Sequence, residues 1–232
     1  MEKKRVRSGI HGLDEAIGGG FLDNSINLVV GGPGAGKSIF AMQFLVDGAM
    51  SGDNGVYIAF EEKKESILKN LDFGWNLDSL EKEGKLLIME FSPDDLKKIM
   101  KRGLLDLEYQ VKKKMQAKRI VIDSISAYYL LFENENEGRD GLLKLFNLLK
   151  SWNLIAMLTA EYEIEKLNAY SIPEFQSDTV IRLYNQSRGG VGVRERFMEI
   201  LKMRGTKHSA NIFPLKITDK GIEVYPQERV LG

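Results

Sequence analysis

One segment, Ile26-Asn27-Leu28-Val29-Val30-Gly31-Gly32-Pro33-Gly34-Ala35-Gly36-Lys37-Ser38, constrains this chain more than any other. Its first half is a short apolar run that suits a buried strand. Its second half fits G-x-x-x-x-G-K-[ST]. A loop of that kind turns backbone N–H groups toward an anion, and glycine takes the necessary dihedrals freely. Gly32, Pro33, Gly34, Ala35 and Gly36 then cradle phosphates, with Ile39 closing the binding stretch. Lys37 supplies a point charge for the β- and γ-phosphates, and the Ser38 hydroxyl can ligate Mg²⁺. From Ile39 to Val46 the chain is a good helix former whose positive end faces the anion.

The rest of the chain repeats the strand-then-helix pattern. Val56 to Phe60, Leu86 to Met89, Arg119 to Ser124 and Leu154 to Thr159 read as strands. Between them, residues 63–82 read as helical with a break near Gly74. Ser92-Pro93-Asp94-Asp95 reads as a helix start, leading into a face of Leu96, Ile99, Met100, Gly103, Leu104, Leu107, Val111 and Met115. Glu133 to Asp140 reads as a charged loop, followed by a helical face of Leu142, Leu145, Phe146 and Leu149. Alternation of this kind predicts an α/β fold, a mostly parallel central sheet flanked by helices. Beyond residue 176 the pattern changes to strands at 179–184, 196–202, 211–217 and 221–225, which predicts a C-terminal antiparallel extension. No Pro- or Ser-rich linker and no internal repeat interrupts the chain, so residues 1–232 read as one domain.

Composition removes several function classes. Lys+Arg and Asp+Glu both number 33, which argues against a strongly electrostatic nucleic-acid protein. There is no Cys, and His11 and His208 are the only histidines, so disulfide, thiolate and histidine-rich metal sites drop out. No apolar run suits a signal core or a membrane span, so a cytoplasmic location without membrane attachment is expected.

Three further groups carry chemistry. Asp123 ends an apolar strand, where it can hold Mg²⁺ opposite Ser38. Glu61 and Glu62 leave the second strand at its carboxyl end, where ligands of such sheets bind, and a carboxylate there can polarise an attacking water. The same acids also suit the N-terminus of the helix beginning near Lys63, and spacing does not choose between the two roles. Lys202, Arg204, Thr206 and His208 alternate and share one face if the strand persists. A solvated face is the plainer reading of those four residues.

Taken together, these residues resemble the RecA superfamily of ATPases and, within it, the KaiC family. The resemblance begins at Ser8-Gly9-Ile10-His11-Gly12-Leu13-Asp14 with Gly18-Gly19-Gly20 and runs through the phosphate loop, Phe60-Glu61-Glu62 and Ile122-Asp123-Ser124. Its most specific part is Glu199 to His208, followed by Phe213-Pro214 and Ile217 to Ile222. The resemblance implies a RecA-like P-loop ATPase using ATP and Mg²⁺, with Glu61 and Glu62 as catalytic carboxylates beside Lys37. It implies that Lys202, Met203, Arg204, Thr206, His208, Thr218 and Asp219 contact ATP held mainly by a neighbouring subunit. It therefore implies a homo-oligomeric ring, typically a hexamer, with head-to-tail interfaces. Autokinase activity is not expected, because Glu174-Phe175 stand where the autophosphorylating relatives carry Ser-Thr.

The leading expectation is an ATPase that couples nucleotide state to conformation and to binding of a protein partner. A single-stranded-DNA-binding ATPase is the weaker alternative, resting on the Gly- and Arg-rich loop 185–196, which carries no aromatic for stacking on bases. A nucleotide-gated interaction protein with negligible turnover is the third.

Overall fold

The computed structural model describes residues 4–92, 95, 105–161, 172–187 and 193–228. Two short strands, β1 (Arg5–Val6) and β2 (Phe21–Leu22), pair antiparallel across α1 (Leu13–Ala16). The main sheet is built from β3 (Ile26–Gly31), β4 (Gly55–Ala59), β5 (Leu86–Glu90), β6 (Arg119–Asp123) and β7 (Ile155–Glu161). It continues with β8 (Thr179–Ser187), β9 (Arg194–Met203), β10 (Ile212–Thr218) and β11 (Gly221–Val224). The spatial order is β11-β10-β9-β8-β3-β7-β6-β4-β5. From β8 to β5 all pairs are parallel; β9, β10 and β11 add the antiparallel extension. This is the α/β architecture that the alternating pattern predicts.

Helices cover both faces, so central strands are buried on both sides and read as continuous apolar runs. In β3, Val29 packs toward α2 (Lys37–Met50), while Leu28 and Val30 pack toward α7 (Glu135–Ser151). The remaining helices are α3 (Lys64–Asn70), α4 (Leu77–Lys82), α5 (Leu105–Glu108, continuing as a π-helical segment over Tyr109–Lys114), α6 (Ile125–Tyr129) and α8 (Ile172–Gln176). The break expected near Gly74 separates α3 from α4. Among the described residues, no helix is long and apolar enough to cross a membrane.

Two expectations change, and a third falls largely outside the described residues. Glu135 to Asp140 are not loop but the opening turns of α7, which Asn134 caps by accepting the Glu137 N–H at 3.0 Å. The strand carrying Lys202 ends at Met203, so the alternation to His208 does not continue on one face. Of the helical face expected after Ser92, Leu96, Ile99, Met100, Gly103 and Leu104 lie outside the described residues. Val111 and Met115 are buried against the sheet, and Ser92 and Asp95 bond reciprocally.

Candidate functional site

The loop after β3 is shaped by left-handed glycines. Gly34 has φ +71° and Gly36 φ +102°, and a Cβ at Gly36 would meet Ile222 Cδ1 at 3.2 Å. Gly36 caps α2 without any side-chain acceptor, so the first amides of that helix are left for an anion. Lys37 is buried and donates from Nζ to Gly32 O at 3.2 Å and to Glu161 Oε1 at 3.3 Å.

A cleft of about 330 Å³ opens over this loop. The loop contributes Pro33, Gly34, Gly36, Lys37, Ser38 and Ile39; the middle of β4 contributes Tyr57, and the strand ends contribute Glu61, Glu62, Asp123, Ser124 and Glu161. The fold thus brings together the phosphate loop after β3, the acid pair after β4 and Asp123 at the end of β6, from three separate strands. A larger surface cavity of about 660 Å³ lies between Arg7–Glu15 and Val224–Glu228, away from the loop.

Asp123, at the end of β6, is held from both sides. Its Oδ2 accepts the Tyr57 hydroxyl from β4 and its Oδ1 accepts the Thr159 hydroxyl from β7. Burial, and then the Asp123 charge, push the Tyr57 phenol well above its ordinary value, so it stays a donor; the Ser38 hydroxyl pulls the other way. Ser124 caps α6 and donates to Glu61 Oε2 at 3.2 Å, while Glu62 accepts from Ser66 at 3.5 Å. Both glutamates are exposed to the cleft. Among the described residues, no cluster of three or more His, Asp or Glu is placed to hold a metal by itself. One carboxylate and one hydroxyl, Asp123 and Ser38, are the hard-oxygen set that suits Mg²⁺, which takes its remaining ligands from phosphate and water.

The seven C-terminal candidates divide between two edges of the sheet. β8 runs parallel to β3 and β9 runs back, so Met203 pairs with Thr179 at the edge opposite the loop. There Lys202 Nζ donates to the carbonyls of Glu174, Phe175 and Ser177 at 2.8, 3.0 and 2.7 Å. Burial and then the neighbouring Arg204 lower the Lys202 pKa. Arg204 bonds Phe175 O and pairs with Asp178 at 3.6 Å, Thr206 accepts from Arg5 at 3.1 Å, and His208 Nδ1 faces Ser209 O at 3.1 Å. Met203 is buried. Thr218 and Asp219 instead follow Ile217, whose side chain, like that of Ile222, lies against Gly36. None of the seven lines the cleft.

The described part of the 185–196 segment is paired strand on both sides: Asn185 faces Arg196, Gln186 faces Glu195 and Ser187 faces Arg194. Residues 188–192 lie outside the described residues. Arg196 Nε donates to Gly34 O at 3.0 Å and Asn185 to Pro33 O at 3.5 Å, so this hairpin braces the phosphate loop. Tyr57, Thr159, Ser124 and Glu161 are site residues that the sequence reading missed. The one signal available was that each is a polar residue in, or at the end of, an otherwise apolar strand.

With the geometry established, comparison with known proteins gives one consistent answer. A family model described as "ATPase: KaiC" matches residues 6–229. A "UPF0273 protein" of Thermotoga maritima is 34% identical over 240 residues, covering 97% of both chains. The circadian clock oscillator protein KaiC of a Nostoc species is 35% identical over 237 residues, covering 96% of this chain and 44% of the clock protein. The chain thus spans less than half the length of that relative. The crystal structure of a KaiC-like protein from Pyrococcus horikoshii aligns with a TM-score of 0.85 at 39% identity, over 97% of this chain and 100% of that one. The chain belongs to the KaiC ATPase family.

Proposed function

We propose that this chain binds ATP with Mg²⁺ in the cleft above β3 and hydrolyses it, as one RecA-like domain spanning residues 1–232. The observation that carries the reading is the convergence of Lys37, Ser38, Asp123, Glu61 and Glu62 on a single cleft around the phosphate loop. Loop amides from Gly32 to Ile39 cradle the phosphates, and Lys37 neutralises charge that develops on the β- and γ-oxygens. Ser38 and Asp123 would hold the Mg²⁺, which would supply charge neutralisation for the phosphates. Glu61 or Glu62 orients the attacking water and accepts its proton as the bond from phosphorus to the β–γ bridging oxygen breaks.

Ile217, the residue before Thr218 and Asp219, packs on Gly36 of the chain's own loop, which supports contacts of that pair to its own nucleotide. Lys202, Met203, Arg204, Thr206 and His208 lie at the far edge, which supports contacts to a nucleotide on a neighbouring subunit in a ring, typically a hexamer. Hydrolysis in such a ring changes its conformation and hence its affinity for a protein partner, in the cytoplasm.

The test separates binding from turnover in wild type, Lys37→Ala, Glu61→Gln and Glu62→Gln. Lys37→Ala is expected to lose both. At least one glutamine variant is expected to keep nucleotide affinity while its hydrolysis rate falls by about 10² or more. Wild-type rates in both glutamine variants would remove the acid pair from the reaction, and a wild type without ATP affinity would sink the reading entirely.

A further inference from the structure

We infer that Tyr57 and Thr159 are the positioning residues of the Asp123 carboxylate, fixing its orientation toward Mg²⁺. This rests on the ATP-Mg²⁺ reading of the cleft.

The sheet order places β6 between β7 and β4, and register sets Asp123 beside Ala59 of β4 and Ile122 beside Leu158 of β7. The carboxylate therefore emerges flanked by one hydroxyl from each neighbouring strand. Tyr57 donates to Oδ2 and Thr159 to Oδ1. A carboxylate has about four lone-pair positions. One donor on each oxygen stops rotation of the group and leaves one lone pair per oxygen directed away from the strands.

Packing alone does not call for either hydroxyl. Tyr57 is 1% exposed between Val56 and Ile58, and Thr159 is fully buried beside Leu158 and Ala160. Phenylalanine and valine fill those places without a polar group to satisfy. What the two hydroxyls have in common is Asp123. Partners that orient metal ligands commonly change metal affinity by about 10- to 100-fold when removed.

The experiment uses Tyr57→Phe, Thr159→Val, the double variant and Thr159→Ser. Mg²⁺ is titrated calorimetrically into the ADP complex, and ADP affinity and thermal melting are measured in EDTA. Each single variant is expected to lose about tenfold in Mg²⁺ affinity and the double about 100-fold, with Thr159→Ser near wild type. ADP affinity without metal is expected to stay unchanged. Wild-type Mg²⁺ affinity in the double variant overturns the inference, and so does a lower melting temperature with unaltered Mg²⁺ affinity, which marks a structural role only. A wild-type ADP complex that takes up no Mg²⁺ overturns the inference together with the reading beneath it.

Discussion

Lys37 places a cation in a nearly buried position, and the carboxylate that meets it belongs to Glu161 at the end of β7. Until a phosphate arrives, that pair satisfies the ammonium; afterwards Glu161 is a like charge at the rim of a polyanion site. Its side chain is 54% exposed, so solvent screens it and the effect is about 1 kcal/mol. Glu161→Gln is therefore expected to tighten ADP binding in EDTA roughly fivefold by calorimetry. Weaker binding would show instead that Glu161 helps to hold Lys37 in place for the phosphates. Glu161 illustrates a limit of the sequence. Lys37 and Ser38 were legible because a motif fixes their spacing, and Asp123 because it ends an apolar strand. Tyr57, Thr159 and Glu161 were not, because only strand register brings them to the same cleft, and register is not written in local sequence.

Element-scale order depends on one buried arginine. Arg119 opens β6, the strand that ends in Asp123, and reaches across to α2, the helix that begins at the phosphate loop. It pairs with Asp47 at 3.4 Å and Asp53 at 3.3 Å, and it donates to Phe44 O at 2.8 Å and Arg7 O at 3.2 Å. Its guanidinium lies 4.8 Å from the centroid of the Phe44 ring. Gly48 makes room for it, since a Cβ there would come within 2.4 Å of Arg119 Nε. Arg119→Met leaves Asp47 with Arg7 as its cation and strips the Phe44 carbonyl of its buried donor, and it is expected to cost about 3 kcal/mol in urea unfolding. In a chain of this size that lowers the melting temperature by roughly 6–12 °C. A loss under about 1 kcal/mol would mean water replaces the arginine without difficulty. Most strands and helices were readable from apolar periodicity, and the errors have physical causes. Glu135 to Asp140 are polar because the first turns of α7 face solvent, so the apolar period begins only at Leu142. The alternation after Lys202 misled because Arg204 and Gly205 make a turn directly after β9.

At the scale of the whole molecule, the antiparallel return of β9 separates the cationic signature from the phosphate loop by the length of the sheet. No rearrangement within one chain short of unfolding β9 carries Lys202 to its own Lys37 edge. If these cations serve catalysis, the phosphate they meet belongs to another copy, and turnover depends on assembly as it does with an arginine finger. In the single chain, the three donors of Lys202 are already satisfied by carbonyls at the end of α8 and just beyond it, so serving a neighbour means exchanging one of those bonds. Lys202→Met keeps much of the apolar stem and removes the charge, which separates catalysis from packing better than alanine does. Hydrolysis per subunit is expected to rise with protein concentration in step with mass measured by light scattering. The Lys202→Met/Arg204→Met variant is expected to reach the same mass while its rate falls by about 10³. A variant that no longer assembles would assign the pair to the interface, and its rate should then match that of diluted wild type. A wild type equally active as a monomer would remove the shared site and leave Thr218, Asp219 and the loop-side residues as the complete nucleotide site.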